Sequence, residues 1–188
     1  MASIIAKAKI NLFFHITGKR PDGYHLIESL MVFANDVYDA IEINQAEINS
    51  TSVQDGEFAH LLKDETNNLI DKAIEYFAGT KKYSCKLTKN IPIGAGLGGG
   101  SSDAAIVAKY ITNKEMDDEI NQKLTKIGAD LPICYHAKPA FCSGIGEIIE
   151  PIKNFPTAYL VLVNPNKALL TKDVFKYNKH LNTDIILD

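Results

Sequence analysis

Residues 91–105, IPIGAGLGGGSSDAA, constrain this chain more than any other segment. Five of the seven residues from Gly94 to Gly100 are glycine, and two serines and an Ala-rich run follow them. Glycine lets the backbone enter positive φ and lets a ligand come close to the main chain. Successive amide N–H groups in such a loop form a nest for an anion. A helix starting near Ser101 would add about half a positive charge at its N-terminus. Strand, nest and helix N-terminus in that order predict a polyphosphate site. Ser101 and Ser102 have two open roles, capping the helix or giving a hydroxyl to phosphate or Mg²⁺.

Other phosphate-binding loops fit less well. GAGLGG matches G-x-G-x-x-G, but a dinucleotide fold places a buried parallel strand immediately before it. Here the preceding strand alternates in polarity, and Pro92 interrupts the approach. A Walker A loop needs G-K-[ST], and a protein kinase needs H-R-D and D-F-G. The sequence contains none of these. A flexible linker rarely sits between a clean strand and an Ala-rich helix.

The surrounding pattern is mixed. From Ala6 to Ile16, Ala6, Ala8, Ile10, Leu12, Phe14 and Ile16 alternate with Lys7, Lys9, Asn11, Phe13 and His15. Period-two alternation predicts a strand with one buried face and with Lys9 and Asn11 on the other. His15 shares that second face as a surface or packing residue. A Pro-Asp-Gly turn follows, then β regions at about 26–34 and 37–43. Residues 44–64 are polar and read as a connection. Leu69, Ile70, Ala73, Ile74 and Phe77 recur at helical spacing, with Thr66, Asn67 or Asn68 as the cap. Tyr83, Cys85 and Leu87 define a half-buried strand. Met116, Ile120, Leu124 and Ile127 define another helix, with Gly128 at its C-terminal end. Residues 140–142 and 146–149 form a hairpin around Ser143-Gly144, and residues 159–163 read as a strong strand.

Length and charge bound the rest. A chain of 188 residues makes one domain, or one and part of another. The formal net charge of −3 supplies no broad positive field for nucleic acid or an acidic membrane. Cys85, Cys134 and Cys142 form no metal-binding pattern and read as buried thiols of a reducing cytoplasm. No apolar run reaches the roughly 20 residues of a membrane span, and the opening residues do not read as a signal peptide.

PIGAGLGGGSSDAA resembles the ATP-binding motif of the GHMP small-molecule kinases. The segments AKINLFFHITGKRPDGYH, GADLP, AFCSGIGEIIEP, and the region from Tyr159 through LLTKDVF also resemble members of that family. The likeness is weaker across residues 45–65. It implies an α+β fold: a GHMP-kinase N-terminal domain, a two-layer α/β arrangement like a ribosomal protein domain, over residues 1–155. Residues 156–188 would be the start of the family's C-terminal domain. No second glycine cluster follows Gly146, so most of that second domain is expected to be absent.

The resemblance implies transfer of a phosphoryl group from ATP, with Mg²⁺, to the 2-hydroxyl of a cytidine diphosphate-linked methylerythritol. That reaction lies on the non-mevalonate route to isoprenoids. Asp130 matches the family's base, although the same position could merely cap a short helix at residues 131–135. Lys9 matches a lysine that keeps the base ionised, although a strand lysine could simply face solvent. Pro92, Ile93, Gly94, Ala95, Gly96, Leu97, Gly98, Gly99, Gly100, Ser101 and Ser102 match the ATP loop, and Lys89 and Asn68 match positions near the adenine. Asn11, Tyr24, His25, Thr171 and Phe175 match substrate contacts, with the aromatics on the cytosine. No protein metal ligand is implied, and neither nucleic acid nor membrane is an expected partner. A homodimer, or completion by the second domain, is the expected assembly. The alternative is a catalytically impaired fragment that binds only nucleotide or a partner chain. A different acceptor within the family is disfavoured by Tyr24-His25, a pair that sugar and mevalonate kinases do not need.

Overall fold

The computed structural model describes residues 1–62 and 68–165. Two long strands organise it. β1 (Ala2–Lys19) and β2 (His25–Ala46) form an antiparallel hairpin. Its turn is fixed by Gly23 at φ 93° and by the Tyr24 N–H, which donates to the Asp22 carboxylate at 3.2 Å. One edge of β2 pairs with β1 over residues 25–33 and 38–43. The other edge is shared between two strands: residues 29–31 pair with β5 (Ala140–Ser143), and residues 40–46 pair with β4 (Lys82–Thr88). β3 (Ser50–Asp55) runs parallel to β4, and β6 (Ile148–Pro151) runs antiparallel to β5. The order β3-β4-β2-β5-β6 leaves a gap between β4 and β5, and the glycine loop leaves β4 there.

Helices α1 (Leu69–Phe77), α2 (Gly99–Thr112), α3 (Asp118–Ile127) and α4 (Leu131–His136) make the second layer. α1 buries Ile70, Ala73 and Ile74, and Asn68 caps it by accepting the Ile70 N–H at 2.9 Å. Asp117 caps α3 through the Ile120 N–H at 2.8 Å, with Asp118 and Glu119 favourably placed in its first turn. The small residues Ala104, Ala105 and Ala108 of α2 are fully buried, which lets that helix lie close to the sheet.

Several expectations are corrected. β1 alternates only as far as Ala8. Register shifts between Lys7 and Lys9 and between Asn11 and Phe13 exchange its faces, so Lys9 is buried while Leu12 and Phe14 are 42% exposed. The two β regions at 26–34 and 37–43 are one continuous strand. The presumed connection at 44–64 contains β3 and a 3₁₀ turn at Ala59–Leu61. α2 starts at Gly99, ahead of Ser101, because Gly98 at φ 64° takes the cap position that no serine side chain fills. Gly128 closes α3 in extended conformation, its N–H on the Leu124 carbonyl at 3.0 Å. Residues 159–163 form no strand: no described strand pairs with them, and Tyr159, Val161 and Val163 stand in solvent. Among the described residues no helix is long and apolar enough to cross a membrane.

Candidate active site

The glycine loop runs from the end of β4 to the start of α2. Gly94, Gly96 and Gly98 all take positive φ, at 67°, 75° and 64°. This alternation curls the chain into a cradle that residues with a Cβ would strain. Gly98 is doubly constrained, since a Cβ there would stand 3.1 Å from Cε of Lys9. The loop is tied to β1 by the Lys9 N–H, which donates to the Leu97 carbonyl at 2.9 Å.

Beneath the loop lies a sealed ionic cluster. Lys89 follows β4 and is buried; its ammonium bonds the carboxylates of Asp39 on β2 and, at 2.9 Å, Asp103 on α2. The second Asp39 oxygen accepts the N–H groups of Asn90 and Ile91 at 2.6 and 2.8 Å. One aspartate thus fixes both the lysine and the backbone that enters the loop. Burial drives the Asp103 carboxyl up to about 8, against the pull of Lys89 and with the push of Asp39. Burial pulls the Lys89 ammonium down, but the two carboxylates outweigh it and its pKa is raised. One cation between two carboxyls leaves a net negative charge, which a proton on Asp103 removes. Neither aspartate was singled out from the sequence. The signal was present at Asp39, which lies in period two with the buried Ile41 and Ile43.

The second lysine, Lys9, opens onto the cleft. Its ammonium lies 3.3 Å from the Asp130 carboxylate, which is 41% exposed. Asp130 precedes α4 but makes no side-chain cap, and Pro132 occupies the first turn instead. Its carboxylate makes no hydrogen bond to the helix, so the side-chain capping alternative falls. Lys9 also donates to the Asn11 Oδ1 at 3.0 Å, and the Asn11 Nδ2 donates to the Ser29 hydroxyl at 2.7 Å.

Lys9, Asn11 and Asp130 line one cavity of about 2260 Å³. This exceeds the roughly 300–1,000 Å³ of an ordinary small-molecule site. Lys9, Asn11, Tyr24, His25, Asn68, Lys89, Asp130 and residues 92–101 all contribute to its wall. Ser102 does not: it is buried, and its hydroxyl donates to the Cys134 sulfur at 3.3 Å. Ser101 is the serine that faces the cleft. Thr171 and Phe175 lie outside the described residues. All three cysteines are buried free thiols, and burial pushes Cys134 up to about 12, so none is a nucleophile at neutral pH.

Among the described residues no group of three His, Cys, Asp or Glu is placed to hold a metal ion. A Mg²⁺ ion held mainly by phosphate oxygens and water needs only one or two protein oxygens. Ser101 and Asp130 offer such oxygens on the cavity wall.

A glycine cradle thus faces a lysine–carboxylate pair across one cavity. Residues 68–144 match the family described as GHMP kinases N terminal domain. A 4-diphosphocytidyl-2-C-methyl-D-erythritol kinase of Roseobacter denitrificans is 40% identical over 97% of this chain and 62% of its own length. One of Clostridium botulinum is 44% identical over 90% of this chain and 62% of its own. A solved 4-(cytidine 5'-diphospho)-2C-methyl-D-erythritol kinase superposes with a TM-score of 0.62 at 28% identity, over 80% of this chain and 55% of that one. Residues 68–144 thus match the N-terminal domain of the GHMP kinases, and the chain carries the fold of that domain. It spans about 62% of the length of the curated relatives it matches.

Proposed function

We propose that the chain transfers the γ-phosphoryl group of ATP to the 2-hydroxyl of 4-diphosphocytidyl-2-C-methyl-D-erythritol. The observation that carries this reading is the Lys9–Asp130 pair at 3.3 Å, on the wall of the cavity that the glycine loop also lines. Asp130 accepts the proton of the acceptor hydroxyl as its oxygen attacks the γ-phosphorus. The bond to the oxygen bridging the β and γ phosphorus atoms breaks, and ADP leaves with that oxygen. Such transfers depend on positioning and charge neutralisation more than on covalent chemistry. Lys9 places a fixed positive charge beside the base and the transferring group. A bound Mg²⁺ would supply further neutralisation of the phosphate oxygens.

The loop amides of residues 94–100 hold the phosphates, with Ser101 in the first turn of α2 beside them. Asn68 and Lys89 border the adenine. Asn11 contacts the acceptor, and Tyr24 and His25 take the cytosine, one by stacking and one by bonding its edge. Thr171 and Phe175 complete that end. In this reading residues 1–155 are the ATP-binding domain, residues 156–188 begin the second domain, and the enzyme works in the cytoplasm. A partner copy or the second domain would complete the assembly.

The test is direct. The chain is incubated with Mg-ATP and 4-diphosphocytidyl-2-C-methyl-D-erythritol, and mass spectrometry follows the singly phosphorylated product and ADP. Product formed in proportion to enzyme supports the reading. ATP binding without product at high enzyme concentration overturns it for this chain.

A further inference from the structure

Ser29 is fully buried in the middle of β2, where its chain neighbours across the sheet are Phe14 and Cys142. A hydroxyl buried there costs stability unless it is bonded. It donates to the Phe13 carbonyl at 2.6 Å, at the irregularity of β1 between Asn11 and Phe13. A serine hydroxyl has one proton, so only a lone pair remains for Asn11. The neighbour at 2.7 Å must then be the Asn11 NH₂ group. That fixes the carboxamide in one sense and turns its oxygen to the Lys9 ammonium at 3.0 Å. The reverse sense would set NH₂ against NH₃⁺.

We propose that Ser29 is a positioning residue for phosphoryl transfer: through Asn11 it sets the Lys9 ammonium against Asp130. The Lys9 stem is buried, but its ammonium is a rotatable point charge whose direction is set by its bonds. Two of those bonds run to the Asn11 Oδ1 at 3.0 Å and to the Asp130 carboxylate at 3.3 Å. Removing the Ser29 hydroxyl frees the amide to rotate and releases one of the two. The cleft wall is otherwise unchanged, because Ser29 does not line it.

The inference rests on the kinase reading for its kinetic arm only, and the test separates the two. Ser29→Ala in the full chain is expected to lower kcat by about 10- to 100-fold, the scale of a misplaced reacting group, with KM for ATP changed less than about twofold. Ser29→Thr, which keeps the hydroxyl, is expected to restore most of the rate. Because Ser29 acts through Asn11, adding Ser29→Ala to Asn11→Ala is expected to cost less than about twofold more. The Asn11 side-chain amide resonances, followed by ¹⁵N NMR, are expected to shift in Ser29→Ala and return in Ser29→Thr. An unshifted Asn11 amide, an unchanged kcat, or a full loss that persists in the Asn11→Ala background overturns the proposal. If the unmodified chain makes no product, the kinase reading of this chain fails, and the Asn11 resonances alone decide the positioning claim.

Discussion

Lys89 and Lys9 both pair with aspartates beneath or beside the same loop, and they do opposite work. Lys89 is sealed, with both carboxylate partners buried. Lys9 is equally buried along its stem, but its partner Asp130 is 41% exposed at the cavity wall. Burying ions is expensive, and mutual attraction with added hydrogen bonds only offsets that cost. The first cluster therefore holds shape: Asp39 ties Lys89 and two loop amides to β2. The second retains an open carboxylate edge that a ligand can reach. A third pair, Lys123–Glu119 on α3, is a solvated i,i+4 pair with Glu119 76% exposed. The three grade from buried, through half-open, to solvated.

The largest effect on stability is expected from Lys89→Met. It strands two buried carboxyls, and breaking a buried pair costs about 3–5 kcal/mol. Urea unfolding followed by circular dichroism measures it; a loss under about 1 kcal/mol would show that the cluster is not what holds the loop. Gly98→Ala comes next. A Cβ there meets both a positive φ and Lys9, whereas Gly79 has a similar φ of 59° with nothing within 4 Å. Both alanines are expected to pay about 1–2 kcal/mol of backbone strain. Only Gly98→Ala should also depress turnover, because only it displaces Lys9.

Asp103→Asn probes the charge of the sealed cluster. The folded carboxyl is raised from 3.8 to about 8, so between those values the native state holds a proton that the unfolded chain has lost. Wild-type stability then falls as pH rises from about 4 to about 8, and levels off above it. Asparagine removes that slope, so the variant should gain on the wild type from about pH 5 to about pH 8 in paired urea titrations. A constant difference across that range would place the proton elsewhere. The smallest effect is expected from Glu119→Gln, about 0.5 kcal/mol or less, as for exposed helix pairs.

Much of this was legible in the sequence because it is local. The glycine run, the strand before it and the helix after it announce a glycine cradle between them, and the apolar spacing of α1 and α3 marks their buried faces. What was hidden depends on irregularity or on distance along the chain. Alternation in β1 put Lys9 opposite the core, but the register steps by three residues between Lys7↔Tyr38 and Lys9↔Phe33, Lys9 is buried there, and such a step carries no mark in composition. Asp39, Lys89 and Asp103 meet only through the fold, although Asp39 stood in the apolar row of β2. Ser29 stood in the same kind of row, between Ile27 and Met31. The residues at 159–163 show the reverse: a strong strand pattern without a strand, because β propensity needs a neighbour to pair with. Ser102 looked equivalent to Ser101, and one step along a helix, about 100°, decides which faces the cleft.

The central claim is that Lys9–Asp130 is the reactive pair and not a structural one. Asp130→Asn tests it most directly, with product formation and thermal midpoint measured side by side. The geometry predicts turnover reduced by about 10³-fold, within the range of a lost general base, with a midpoint within about 2 °C of the wild type. Turnover retained within about tenfold, or a midpoint that collapses with the substitution, would contradict it.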